Sequence, residues 1–187
     1  RVRAEPRHSR FLRAEVGREL NHGMMRYAQS VLLVATWLAV TVACAAQDTL
    51  NRSVQSLEQR MKTEGKLGVV FFYTEWCTVC HAMKHMALQN PEVRRLLDER
   101  FAFIAFDAES EVPVEFGGQV FRYRPRGVRA GIHEWALELA SVDGTINYPT
   151  LTVFNAQNEI LFQHIGLLGE EALIAVLKEM AGESSGH

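Results

Sequence analysis

The sequence has little cysteine, little net charge and no long apolar run. Three cysteines in 187 residues exclude a small domain stapled by several disulfides. With 20 Lys+Arg against 22 Asp+Glu, neither a polybasic nucleic-acid binder nor an acidic disordered tail fits. No apolar stretch reaches the roughly 18 residues of a confident membrane span, and internal repeats are missing. At 48% hydrophobic residues the chain can bury one core of ordinary size.

The N-terminus reads differently from the rest. Residues 1–23 carry six Arg and three Glu with no core-forming pattern. Met24-Met25-Arg26, the apolar run Val31–Val42 and then Ala43-Cys44-Ala45 have the layout of a secretory signal peptide. The expectation is an over-extended, unstructured start over 1–23, a signal peptide over 24–46 and an exported, periplasmic remainder. An uncleaved membrane anchor or lipid attachment at Cys44 are the alternatives. Without 1–46 the chain carries 13 Lys+Arg, 19 Asp+Glu and only Cys77 and Cys80. In an oxidising compartment, two cysteines three apart are a pair with a purpose.

Apolar periodicity predicts a helix within 47–64, capped by Asp48 and carrying Leu50, Val54, Leu57 and Met61. Leu67–Tyr73 is a continuous apolar run, as a central buried strand should be. A helix follows Cys77-Thr78-Val79-Cys80; Pro91 can start another, and Phe101–Phe106 reads as a strand ending at Asp107. Residues 108–130 read as an irregular excursion, with Val120–Tyr123 as one hairpin arm, and Gly131–Val142 as a helix. Leu151–Phe154 and Glu159–His164 flank a hairpin turn; Glu170–Met180 is a closing helix and 182–187 a disordered tail. Alternating helices and strands of this kind predict an α/β sandwich with a mixed sheet.

A C-x-x-C at a strand-to-helix junction has a physical reason. The first cysteine meets unpaired N–H groups and the helix dipole, which stabilise a thiolate. The second, one turn on, can attack a mixed disulfide and release the product. Trp76 offers a flat apolar wall beside the sulfur. The run Val69–Cys80 resembles the strand and active-site turn of the thioredoxin family. Tyr148-Pro149-Thr150 resembles that family's cis-proline loop, and Gly166 falls where such proteins often have glycine. The resemblance spans 65–181, and more narrowly the chain is similar to bacterial exported members, including the C-terminal domain of the thiol:disulfide interchange reductase. It implies a thioredoxin fold with an insertion before the cis-proline helix. It also implies Cys77 as nucleophile, Cys80 as resolving cysteine, and Trp76, Tyr148 and a cis Pro149 beside an extended substrate.

On that resemblance no cofactor or metal is needed beyond the Cys77–Cys80 disulfide. The expected partners are protein dithiols or disulfides and a membrane electron donor or acceptor, with no nucleic acid, and the expected state is monomeric. Three departures stand out. Thr78-Val79 replaces the usual Gly-Pro. Phe71 takes the place of a buried acid six residues before Cys77, leaving Glu75, Asp107 or solvent to handle the proton at Cys80. His81, if protonated, would lower the Cys77 thiol pKa. Residues 108–130 also lengthen the route to Pro149, and their arginines 122, 124, 126 and 129 read as a solvated loop or a surface for an acidic partner.

Other readings of the pair stay open. A purely structural disulfide across one helical turn restrains little chain. Cys77-x-x-Cys80-His81 matches the haem-attachment spacing, although here it follows a buried strand. Cys77, Cys80, His81 and His85 could supply metal ligands, so copper handling or partner docking on the same fold is the non-enzymatic alternative.

Overall fold

A computed structural model describes residues 53–127 and 130–183. The signal-peptide segment, the Asp48 cap, Arg129 and residues 184–187 lie outside the described residues. Helix α1 (53–64) precedes strand β1 (Leu67–Tyr73), helices α2 (Thr78–Met86) and α3 (Pro91–Arg100), and strand β2 (Phe101–Asp107). Short strands β3 (Val114–Phe116), β4 (Gln119–Phe121), β5 (Tyr123–Pro125) and β6 (Gly131–His133) form the insertion. Helix α4 (Glu134–Ala140), strands β7 (Thr150–Phe154) and β8 (Ile160–Ile165) and helix α5 (Glu170–Met180) complete the fold.

The main sheet runs β2-β1-β7-β8, with β1 parallel to β2 and antiparallel to β7. The apolar run 67–73 follows from that central place, because a strand covered on both faces has no polar side. Val70 and Phe72 pack into one cluster with Val54, Leu57 and Met61 of α1 and Trp135 and Leu139 of α4. Val69 and Phe71 pack into the other with Met83 of α2, Leu96 of α3 and Leu173 of α5. Fully burying one such side chain contributes about 1.5–3 kcal/mol, so β1 anchors both halves of the core.

The insertion is more ordered than an irregular excursion. Gly117 and Gly118, at φ +62° and +76°, make the two-residue turn that joins β3 to β4, a conformation other residues rarely adopt. Val120–Tyr123, expected as one arm, is divided: Val120 and Phe121 pair with β3, while Tyr123 pairs with His133 of β6. The division falls at Arg122, whose N–H donates to Glu134 Oε2 and whose carbonyl accepts from Glu134 N–H.

Gly131–Val142 is likewise not one helix. Residues 131–133 are extended and paired with β5, and the helix begins only at Glu134. At Gly131 a Cβ would stand 2.1 Å from Tyr123 Cζ, so the bare backbone lets the ring lie across it. Gly182 and Glu183, expected in the tail, instead close α5. Gly182 N–H donates to the Glu179 carbonyl, and Glu183 pairs with Arg100 at 3.3 Å.

Helix α4 is capped by a ring. His133 is buried, its Nδ1 accepts from Trp135 N–H at 3.1 Å, and its Nε2 lies 3.1 Å from the Val112 carbonyl. Both contacts are met by the neutral tautomer with its proton on Nε2. Burial lowers the His133 pKa from its ordinary 6.5, and a proton on Nδ1 would displace the cap. The folded pKa therefore lies below the unfolded one, and stability present above pH 6.5 is lost as pH falls through the folded value. Urea unfolding should show this acid-side loss. His133→Asn, whose side chain can cap without a titrating ring, should flatten the profile, whereas His133→Ala should cost about 1 kcal/mol at neutral pH.

Candidate active site

Strand β1 ends in Tyr73, and the chain turns through Thr74, Glu75 and Trp76 to Cys77, the N-cap of α2. The turn closes with Cys77 N–H donating to the Thr74 carbonyl at 3.2 Å. Cys77 and Cys80 form a disulfide with Cα atoms 5.2 Å apart. Cys77 Sγ accepts from Cys80 N–H at 3.1 Å, so the sulfur takes one of the helix's otherwise unpartnered first-turn donors. Cys77 is 6% exposed and Cys80 is fully covered. Of the pair, only the first sulfur lies near the surface.

Around it stands an apolar rim. Trp76 is 66% exposed, and its ring meets that of Tyr148 edge-on at a centroid distance of 6.0 Å. Its Nε1–H donates to Glu109 Oε2 at 3.0 Å. The Tyr148–Pro149 peptide bond is cis, and the Pro149 carbonyl accepts from Gly166 N–H at 2.8 Å. Val79 and Leu167 are also exposed. The structure thus brings together Trp76, Cys77, Cys80 and the Tyr148-Pro149 loop.

The candidate modulators sit on different elements, His81 on α2, Glu75 in the turn before it and Asp107 at the end of β2. His81 turns its Nε2 to the Glu75 carbonyl at 2.8 Å. Asp107 lies opposite Tyr73 in the parallel ladder. Its carboxyl pKa is raised by burial, with Glu75 and Glu109 adding to the shift. Phe71 is fully buried in the cluster that holds both cysteines, so no carboxylate occupies that place. Among the described residues no group of three or more His, Cys, Asp or Glu is arranged to hold a metal ion, and His85 Nδ1 lies against Gln89 Nε2.

Sequence reasoning missed Glu109, Tyr73 and Lys84. Glu109 reaches Trp76 through a loop closure that no local pattern announces. Lys84 had a signal, its place seven residues after Cys77 on the same helix face. Its Nζ sits 2.9 Å from the centroid of the Tyr73 ring. Arg126 of the insertion lies close enough to Tyr148 to favour its ionised form.

Burial pushes both Tyr73 and Tyr148 up to about 12, with nearby carboxylates adding to each shift. A buried phenol that resists ionisation stabilises the fold below pH 10, and that stability is lost as pH rises toward 12. Spectrophotometric titration should show a late phase near pH 12. Tyr73→Phe and Tyr148→Phe should each remove part of it.

The model of the thioredoxin-like domain family matches residues 54–181. No curated protein sequence matches the chain. Among solved structures, a DsbH oxidoreductase is 19% identical over 67% of this chain and 79% of its own, with a TM-score of 0.47. A thioredoxin from Thermus thermophilus is 19% identical over 70% and 92%, with a TM-score of 0.47. The reduced C-terminal domain of DsbD from Neisseria meningitidis is 18% identical over 74% and 95%, with a TM-score of 0.46. The family match covers α1 through α5, including the Cys77–Cys80 turn and the Tyr148-Pro149 loop: this chain belongs to the thioredoxin-like domain family.

Proposed function

We propose that the protein is an exported thiol–disulfide oxidoreductase that reduces protein disulfides through the Cys77–Cys80 pair. The observation that carries this reading is the disulfide at the N-terminus of α2, with one sulfur near the surface and its partner sealed beneath. In the reduced protein the Cys77 thiolate attacks a substrate disulfide. One substrate sulfur leaves as a thiolate, and the other becomes bonded to Cys77. Cys80, deprotonated, then attacks Cys77 Sγ, re-forming the internal disulfide and releasing the second substrate thiolate, which takes up a proton. Two electrons pass from the pair to the substrate.

Trp76, Tyr148 and Pro149 form the surface on which an extended substrate segment would lie, and Glu75, His81 and Asp107 modulate the charge beside it. The internal disulfide itself is the redox group, so no cofactor is required. A membrane protein supplying or removing electrons would reset the pair. Export rests on residues 24–46 of the sequence; among the described residues no helix is long and apolar enough to cross a membrane. We take the protein to act as a monomer without nucleic acid.

Cys80→Ser separates this reading from a docking or copper-handling role. It should accumulate mixed disulfides with substrate proteins, visible as species that a reductant dissolves, whereas Cys77→Ser/Cys80→Ser should accumulate none. A docking module would not respond to either change. Titration against glutathione fixes the direction: a potential at or below about −230 mV supports a reductase, and one near about −120 mV would instead make the protein a disulfide donor.

A further inference from the structure

Phe71 leaves the dithiol without a buried carboxylate, yet the surroundings of the pair are charged. Cys77, Cys80 and Lys84 follow one another at i, i+3 and i+7, so helix geometry sets them along one stripe of α2. One turn below Cys80, the Lys84 ammonium seats on the face of Tyr73. Tyr73 packs against the apolar cluster that contains both cysteines and stacks on Phe71 at 6.1 Å.

We propose that Lys84 is the fixed cation that sets the ionisation and redox equilibrium of the Cys77–Cys80 pair. The inference rests on the reading of that pair as redox-active. An ammonium in contact with a carboxylate has its field largely cancelled, whereas one held on an aromatic face keeps it. Burial lowers the Lys84 pKa, and the charges of Glu75 and Asp107 oppose that shift.

The groups around the pair can be taken element by element. Helix α2 contributes Lys84 and His81, with His85 turned to Gln89. Strand β1 and its turn contribute Tyr73 and Glu75, and the end of β2 contributes Asp107 and Glu109. The cis-proline loop contributes Tyr148, and the insertion contributes Arg126. Three carboxylates oppose a thiolate at this end of the sheet. Lys84, on the helix that carries both cysteines, the N-terminal amides of α2 and, from the insertion, Arg126 favour one.

When two glutathione thiols reduce the pair, the Cys77–Cys80 bond breaks, glutathione disulfide forms, and two electrons and two protons pass to the cysteines. Where one thiol ionises, its proton goes to solvent. A cation that stabilises this thiolate favours the reduced pair.

The test uses the full chain with Lys84, Lys84→Gln and Lys84→Arg, measured by glutathione equilibrium at about pH 8 and by the pH dependence of alkylation by iodoacetamide. Lys84→Gln should raise the apparent thiol pKa by about one unit. It should also shift the equilibrium five- to tenfold toward the disulfide, about 20–30 mV more negative. Lys84→Arg should stay within about twofold of the unsubstituted chain, because the charge and the aromatic seat are both kept. Two results would overturn the assignment: an unmoved pKa and equilibrium in Lys84→Gln, or equal shifts in the Gln and Arg variants, which would point to lost packing rather than lost charge. A chain with Lys84 intact that never exchanges with glutathione would sink the oxidoreductase reading as well, so the two failures are distinguishable.

Discussion

The site depends on the lateral hydrogen bonding of β1 between a parallel and an antiparallel neighbour. In the β1–β2 ladder Tyr73 stands opposite Asp107, and in the β1–β7 ladder Phe72 stands opposite Thr150. Those registers bring three chain turns to one edge of the sheet: 74–77, 107–109 and 147–150. In an open α/β sheet the carboxyl ends of parallel strands are where loops can converge without burying unpaired backbone. Here the carboxyl ends of β1 and β2 deliver the disulfide and the carboxylates, and the amino end of antiparallel β7 brings the Tyr148-Pro149 loop to the same end of the sheet. A slip of one residue in β1 would exchange Phe71 for Phe72 between the two core clusters, so the packing that stabilises the strand also holds the site in register.

The same edge explains the unusual electrostatics. A strand buried on both faces has no solvated side on which to carry a carboxylate, and at Phe71 this chain adds an aromatic ring instead of paying for a buried charge. Charge is displaced to the periphery of the cluster. Lys84, half-buried, sets its ammonium on the Tyr73 face at the border of the core. Asp107, Glu75 and Glu109 gather opposite, and their mutual repulsion contributes to the raised pKa of Asp107. The balance between Lys84, Arg126 and three carboxylates is thus a surface property tuned by partial burial, unlike a sealed acid whose field acts through a low dielectric.

Much of this was legible in the residues. The apolar run at 67–73, the C-x-x-C at its end and the Pro91 start of α3 each follow from local physics, and each occurs where expected. What resisted was non-local. Residues 131–133 carry Ile and His and lead into a good helix former, Glu-Trp-Ala-Leu, so periodicity extended the helix backwards. The competing partner, Tyr123 of β5, lies outside any local window. The seat of Trp76 on Glu109 likewise joins residues 33 apart. Contacts of that kind depend on the closed fold, and no spacing rule can anticipate them.

The insertion shows how far such closure reaches. Phe116, Phe121 and Ile132 enter the same buried cluster as Trp135 and Phe154, with Phe116 packed against both of those rings at 5.3 and 5.8 Å. Helix α4 is only seven residues long, too short to persist alone. It is held at its start by His133 and by the exchange of hydrogen bonds between Arg122 and Glu134. Near its end, the Leu139 carbonyl accepts from Thr152 Oγ1 and Gln163 Nε2, which ties it to β7 and β8. The path from the insertion to Pro149 therefore runs through a short helix whose two ends are pinned by different elements. Val114, Phe116, Phe121 and Ile132 belong to the core cluster against which Tyr148 of the cis-proline loop packs, and the charge of Arg126, from the same insertion, acts on Tyr148.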